Sequence, residues 1–439
     1  MKFTFPKNLP LMVLSVYALG SLSSMGGMNL SFFLVFFIFL ILLINRSFKL
    51  PESLSKLPDF KNYKIYGGYL FFACLFSLLI AKIFPVIYAN HAPDITLHGF
   101  LKIWYLFCPL ILASVFLMSE NTRATLNHVK NTWWVGTITL GGIAIIQFFT
   151  GWPLRQEIPT NPGHFHAILF FGHHLSTSSI LIFPTFVALA EAIGKSTRSK
   201  KIPYFALVTG ISGLLILFLS FARAAWVSTP IGIILLIFRY LKPKNRMITL
   251  GVFALFLGLA SQTSLMKERI ENSMGVNDRV QLWKANIDYF KRNPLTGVGW
   301  LKTQEMSEFY FKEIDPEHYH SHFWGHAHSN FFEMLGGTGL IGLIAFLAWS
   351  LFTLKLAFKA SRVSLYPDDP ELSDFAYGLG VALLLLHING LTNVTFWEGK
   401  VMHQQMFAVA WLLVIQAYRL KSNDDAHPGR AHVHEKALQ

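Results

Sequence analysis

The chain has 439 residues, 53% of them hydrophobic, 15% aromatic and only 14% charged, with a mean hydropathy of +0.44. A soluble chain carries about 25% charged residues, so an assembly of water-soluble domains is excluded. The formal net charge of +13 could suit nucleic acid, but Lys and Arg stand in short bursts between apolar stretches, as in loops on the inner side of a membrane; no nucleic-acid partner is expected.

Apolar stretches 9–25 and 29–45 open the chain. The first has no small-residue cleavage site and is followed at once by another, so it is read as a retained helix. A basic loop (Arg46, Lys49, Lys56, Lys61, Lys64) leads to 65–84, and an outer loop 85–98 without Lys or Arg leads to 99–118. Arg123 and Lys130 mark the next inner loop, before 132–150. After an outer loop at 151–166, helix 167–193 returns to Lys195, Arg198, Lys200 and Lys201. Helices 204–221 and 224–238 flank a tight outer turn and end at Arg239, Lys242, Lys244 and Arg246. Helix 247–262 opens the loop 263–331, and 333–354, 374–391 and 401–418 follow. The polar tail with Arg419, Lys421, Arg430 and Lys436 is expected to be disordered.

The expectation is an all-α integral membrane protein of about twelve transmembrane helices. Residues 1–262 hold nine of them, 263–331 form one large, partly helical outer loop, 332–418 hold three more, and 419–439 are a cytoplasmic tail. With both termini inside, every basic burst shares one side, and the short outer loops keep only Arg155, Arg223 and Lys400. The large loop breaks the rule with Lys267, Arg269, Arg279, Lys284, Lys291, Arg292, Lys302 and Lys312. Long loops cross regardless of charge, and this excess suggests an anionic ligand. Cys74 and Cys108 both lie in apolar stretches and offer neither a disulfide framework nor a metal motif.

Arg223 lies in the outer turn Phe221-Ala222-Arg223-Ala224-Ala225-Trp226. An arginine at that depth is costly unless it snorkels or pairs. It is either an interfacial anchor beside Trp226 or a ligand-binding cation, and the outer side, where anchoring arginines are least expected, favours the second. In Asn277-Asp278-Arg279-Val280-Gln281-Leu282-Trp283, Asn277 or Asp278 reads as an N-cap and the helix stops at Asn293-Pro294. Arg279 then sits in the first turn, where free N–H groups favour an anion, on the apolar face four residues before Trp283. The alternative is pairing with Asp278 or Glu271.

Five histidines fall between His318 and His328. They make no recognised zinc spacing with Asp315, Glu317 or Glu333, so adventitious metal is favoured over a physiological site, and a single histidine base over both. His328 precedes Gly336-Gly337-Thr338-Gly339-Leu340-Ile341-Gly342, which places it at the membrane surface, where a histidine of near-neutral pKa can take a proton from a hydroxyl. The glycines read as close helix packing. His164, His166, His173 and His174 surround the outer end of another helix and read as hydrogen-bonding or substrate-lining groups.

Three segments together resemble the bacterial O-antigen ligase and polymerase superfamily over roughly 204–345, the remainder agreeing in helix count. They are Arg223-Ala224-Ala225-Trp226, then Arg279 with Leu282-Trp283 and Pro294-Leu295-Thr296-Gly297-Val298-Gly299, then His328 before Thr338-Gly339-Leu340-Ile341-Gly342-Leu343. The family's His-Asn is here interrupted by Ser329, and His326 competes for the role; the spacing to Gly339 favours His328. The resemblance implies a GT-C-like fold in a bacterial inner membrane with its active site periplasmic. It implies transfer of O-antigen from undecaprenyl diphosphate to lipid A–core, with inversion and without metal or cofactor. Arg223 and Arg279 would hold the diphosphate and His328 would be the base, with His326, Trp226 and His174 lining the substrate. Within the superfamily the rivals are an O-antigen polymerase and a protein oligosaccharyltransferase; the single compact loop and the lack of an extended C-terminal outer domain favour the ligase. A transporter or flippase is disfavoured because no internal repeat is evident and mid-membrane charges are sparse. A scaffold would leave the outer arginines unexplained.

The topology has a direct test. Reporter fusions at Arg198 and at Lys302 are expected to report opposite compartments; the same compartment for both would refute the helix count.

Overall fold

The computed structural model describes residues 6–45, 49–95, 99, 102–158, 161–262, 276–362 and 369–426. Arg46, Lys267, Arg269, Glu271, Arg430 and Lys436, named above, lie outside these residues. The helices are α1 (Leu9–Gly20), α2 (Met25–Asn45), α3 (Pro58–Ile83), α4 (Cys108–Leu117), α5 (Thr122–Thr150), α6 (His174–Ser199), α7 (Tyr204–Leu219), α8 (Arg223–Tyr240), α9 (Pro243–Ser261), α10 (Val276–Arg292), α11 (Thr303–Ile314), α12 (Asn330–Ala360), α13 (Pro370–Asn389) and α14 (Gly399–Ala426). Between α5 and α6 an antiparallel hairpin pairs Glu157–Ile158 with Asn161–Phe165.

All twelve apolar segments are therefore helical, and the chain is an all-α membrane protein. Six helices (α2, α3, α5, α6, α12 and α13) are each long and apolar enough to cross a membrane alone; α1, α4 with the 3-10 turn before it, and α7 are shorter and apolar. The centre is α6, whose residues from Ser176 to Ala192 are buried without interruption.

Several ends differ from expectation for local reasons. Helix α6 starts at His174, not at 167, because Leu169 (φ 50°) and Gly172 (φ 76°) turn the chain to the left-handed region. The run Ala167–Phe171 is an inward-folded loop whose apolar composition imitates a helix. Helix α5 begins at Thr122, since the Asn121 side chain accepts from the Ala124 N–H at 2.9 Å, a standard N-cap. Arg123 and Lys130 thus belong to a helix rather than a loop. Lys130 is buried against Glu191 at 2.7 Å, the pairing that a buried charge requires. Helix α14 continues to Ala426, taking in the first residues of the expected tail.

One end of the bundle is tied by such pairs. Arg123 meets Asp369 (3.1 Å), Lys195 meets Glu371 (3.1 Å), Arg198 meets Asp374 (2.5 Å) and Lys359 meets Asp59 (3.0 Å). At the opposite end a satellite core of Val86, Tyr88, Leu282, Ala285, Tyr289, Val298, Met306, Tyr310 and Phe311 unites α10, α11 and the segment after α3. Tyr88 donates to Asp288 (2.7 Å) and Arg292 bonds the Ile87 carbonyl (3.1 Å).

The glycines of α12 do more than permit packing. Gly339 has φ 63° and ψ −162°, so α12 is two helices separated by a break. Its freed carbonyls at Gly336 and Gly337 accept from the Val298 and Gly299 N–H groups, both at 2.9 Å, while Leu340 N–H donates to Pro294 O at 2.9 Å and Ile341 N–H to Leu295 O at 3.4 Å. Backbone at membrane depth must find such partners. A Cβ on Gly297 (φ 62°) would lie 2.1 Å from the Gly336 oxygen. Gly297→Ala is therefore expected to destabilise the protein by more than about 2 kcal/mol. Gly142→Ala, where an added Cβ meets nothing within 4 Å, should not lower stability. Melting in detergent checks both; equal melting of Gly297→Ala and wild type would overturn the account.

Candidate functional site

The site end gathers four segments. The first is the turn before α8. Phe221 takes φ 56°, and His166 braces the turn, its Nδ1 lying 3.0 Å from Ser220 O. The Ala167 N–H donates to Leu219 O at 2.9 Å. Trp226 folds back on this turn, donating from Nε1 to Phe218 O at 3.1 Å and stacking on Phe218, so it shapes the turn that carries Arg223.

The second segment is α10. Helical residues already include Asn277 and Asp278, so neither is the expected cap. Arg279 and Trp283 share a face by their spacing of four. Trp283 stacks on Phe332 at 4.9 Å and donates from Nε1 to Ala327 O at 2.9 Å. Arg279 is half-buried and has no ion pair to Asp278 or another described carboxylate. Burial first, and the charge of Arg223 second, depress its pKa. The charge of Arg223 thus reaches the partly buried Arg279, a repulsion that a bound anion would relieve.

The third segment carries the histidines. The peptide groups of Ala327 are held from both sides: Trp283 binds its carbonyl, and its N–H donates to Glu333 Oε2 at 2.7 Å. Glu333, only 4% exposed, takes its second bond from the Thr303 hydroxyl. This clamp holds His328 at φ 47°, a left-handed conformation that costs on the order of 1–3 kcal/mol and persists only when its surroundings enforce it. Asn330 fixes the next step: its N–H donates to Gly390 O (2.8 Å) and its Oδ1 accepts from the Thr395 (2.8 Å) and Phe396 (3.1 Å) N–H groups.

The two competing histidines differ. His326 Nδ1 accepts the His328 N–H at 3.2 Å, whereas His328 Nδ1 is enclosed and has no hydrogen-bond partner among the described residues. Their rings are 4.2 Å apart. Burial, then the charges of His326 and Arg279, push His328 down to about 3, and burial, then His173, push His326 down to about 4. The near-neutral value expected of a surface histidine is therefore corrected: these imidazoles are neutral bases at pH 7.

The fourth segment was not anticipated as part of the site. Glu398 accepts from Ser176, and Lys400 donates to Phe171 O. Lys400 also depresses His173, after burial. His174 stacks with His166 (4.7 Å) and His173 (4.4 Å), but His173 is the neighbour whose charge reaches His326 and His328. Lys400 had a visible signal, as one of three cations in the short outer loops. Glu333 had one too, as a carboxylate in the first turn of an apolar helix.

The remaining histidines of the run turn elsewhere. His318 Nδ1 and His322 Nε2 both meet Asp315, at 3.3 and 2.9 Å. Among the described residues no three His, Cys, Asp or Glu side chains are grouped to hold a metal ion.

Residues 206–347, about a third of the chain and the part containing three of these segments, match the family model described as O-antigen ligase. No curated protein matches the chain.

The electrostatics can be checked without any assay of activity. In a histidine ¹⁵N titration, His326 and His328 are expected to stay neutral down to about pH 5. In Arg279→Ala both should titrate higher, because a like charge has been removed. Protonation of both between pH 6 and 7 in the wild type would show that they are neither buried nor flanked by cations.

Proposed function

We propose that this chain, whose residues 206–347 match the O-antigen ligase family model, transfers O-antigen polysaccharide from undecaprenyl diphosphate to lipid A–core oligosaccharide at the periplasmic face of the inner membrane. The observation that carries this reading is that Arg279, within reach of the charge of Arg223, and the partly enclosed His328 stand on segments joined by backbone hydrogen bonds.

The arginines bind the diphosphate, each able to offer a bidentate fork. As the glycosidic bond breaks, negative charge grows on the leaving phosphate, and cations already desolvated and oriented stabilise that growth most. His328 takes the proton of the attacking acceptor hydroxyl. The bound diphosphate also offsets the repulsion from Arg279, which raises the basicity of His328 when donor is present. Glu333, Trp283 and Asn330 position His328 without touching substrate. The polyprenyl chain lies in the bilayer, and a predominantly apolar groove of about 530 Å³ between α3 (Tyr69, Phe72, Phe76, Leu79) and α12 (Ile341, Ile344) suits an isoprenoid.

The test is reconstitution of purified protein with polyprenyl diphosphate-linked glycan and lipid A–core, with EDTA and without ATP. A ladder on lipid A–core is expected; elongation of the lipid-linked glycan instead would make the enzyme a polymerase. Arg223→Ala and Arg279→Ala should weaken both donor binding and turnover, with partial rescue by lysine. His328→Ala should keep donor binding while single-turnover rate falls by roughly 10²–10⁴-fold, and His326→Ala should be much milder. Wild-type turnover in His328→Ala would remove the base, and loss of activity in EDTA restored by zinc would make the reaction metal-dependent.

A further inference from the structure

The histidine-rich segment is built more firmly than its place in a loop requires. His322 stacks flat on Phe311 (4.5 Å, 7°) while its Nε2 meets Asp315. The Gly325 N–H donates to the Ser307 hydroxyl at 3.0 Å. Between these two anchors on α11, the chain turns Phe323 (49% exposed) and Trp324 (36% exposed) outward. The indole is itself fixed: Nε1 donates to Tyr319 O at 3.0 Å, and the ring stacks on Tyr319 at 5.8 Å and 10°. His320 lies 5.9 Å from it. On the other side, the Phe323 ring is 5.9 Å from the His328 ring.

Large aromatic surface held rigidly in the open marks a binding surface. Its neighbours decide for what. Lys312 Nζ sits 5.0 Å above Tyr319, the ring on which Trp324 stacks, and the exposed His318 (70% side-chain exposure) and Asp315 (37%) add donors and acceptors on the same segment. A lipid-interface anchor would account for the rings alone. A pyranose instead offers both features: an apolar C–H face, whose slightly positive hydrogens meet the negative face of an aromatic ring, and an edge of hydroxyls for polar side chains.

We propose that Phe323 and Trp324 form a saccharide-binding platform that seats a sugar ring of the acceptor with a hydroxyl directed at His328. The assignment to the acceptor rests on the role proposed for His328. The sugar beside a base is the one that loses a proton, whereas the donor's diphosphate belongs at Arg223 and Arg279. The platform orients the nucleophile and takes no part in proton transfer.

The experiment measures kinetics of the full-length protein in liposomes with acylated lipid A–core and with the same core oligosaccharide after deacylation. In Trp324→Ala and Phe323→Ala, kcat/KM for both acceptors should fall by about tenfold while KM for the donor does not move. Trp324→Phe should recover part of the loss, which a folding defect would not allow. Unchanged acceptor kinetics would overturn the platform. A defect seen only with the acylated acceptor would make these rings a lipid contact, and a raised donor KM would place the donor glycan there; either result overturns the proposal. Saturation-transfer NMR with the deacylated oligosaccharide separates the two levels. If wild type transfers nothing yet binds this probe, and Trp324→Ala does not, the platform stands and the reaction assignment fails; equal binding by both proteins overturns the platform.

Discussion

The site end depends on one exchange of backbone hydrogen bonds, between Pro294–Gly299 and the interrupted helix α12. An unbroken helix satisfies its own polar groups and offers none to a neighbour. The break at Gly339 frees two carbonyls and two N–H groups, and the loop leaving α10 fills that vacancy. This joins α10 and α11 to a helix of the bundle by main-chain contacts so close that a Cβ at Gly297 has no room. It also fixes the distance from α10 to the first turn of α12. Trp283 reaches the Ala327 carbonyl, and Arg279 lies one turn away on the same face, because α10 cannot slide along α12.

The clamp on Ala327 then converts this register into chemistry. Trp283 comes from one helix and Glu333 from the other, and they bind opposite ends of the same residue. A left-handed His328 is affordable only in that grip. The frame therefore spends rigidity on one imidazole. It leaves that imidazole's Nδ1 without a hydrogen-bond partner among the described residues, while the nearby His326 is committed to the His328 backbone. Chemical identity alone does not separate two histidines two residues apart; their different hydrogen bonding does.

Much of this was legible in the sequence, and the limits have physical causes. Apolar length alone located all six helices that are long and apolar enough to cross a membrane among the described residues, because a bilayer filters composition so strongly. It misplaced the start of α6 because a loop folded into the protein interior is as apolar as a helix. The bursts of Lys and Arg were counted correctly but assigned wholly to loops; Lys130 shows that a helix interior accepts a cation once Glu191 is opposite. Arg223, Arg279 and His328 were singled out through spacing and placement between the apolar segments. Glu333, Lys400 and the clamp role of Asn330 were not, since their partners lie at Ala327, Phe171 and Thr395, and no single-sequence pattern records such contacts. The glycines were visible, but a packing stripe and a helix break share the same composition, and only φ distinguishes them.

Arg279 is treated differently from the cations at the other end of the bundle, and that contrast bears on function. At the end holding Arg123, Lys195, Arg198 and Lys359, each cation meets a carboxylate, so the charges there stabilise helix ends and attract little else. At the other end Arg279 is partly desolvated and loses basicity to burial and to Arg223, and the histidines beside it are held neutral. Stability alone would favour a carboxylate beside Arg279, as beside Lys130. The fold pairs Arg292, Lys302 and Lys312 at the Arg279 end with carboxylates as well, but among the described residues it sets none against Arg279, whose charge is left for a ligand that brings its own negative charge. The diphosphate of the proposed donor would meet that requirement, because its terminal oxygen would leave with more negative charge than it carried in.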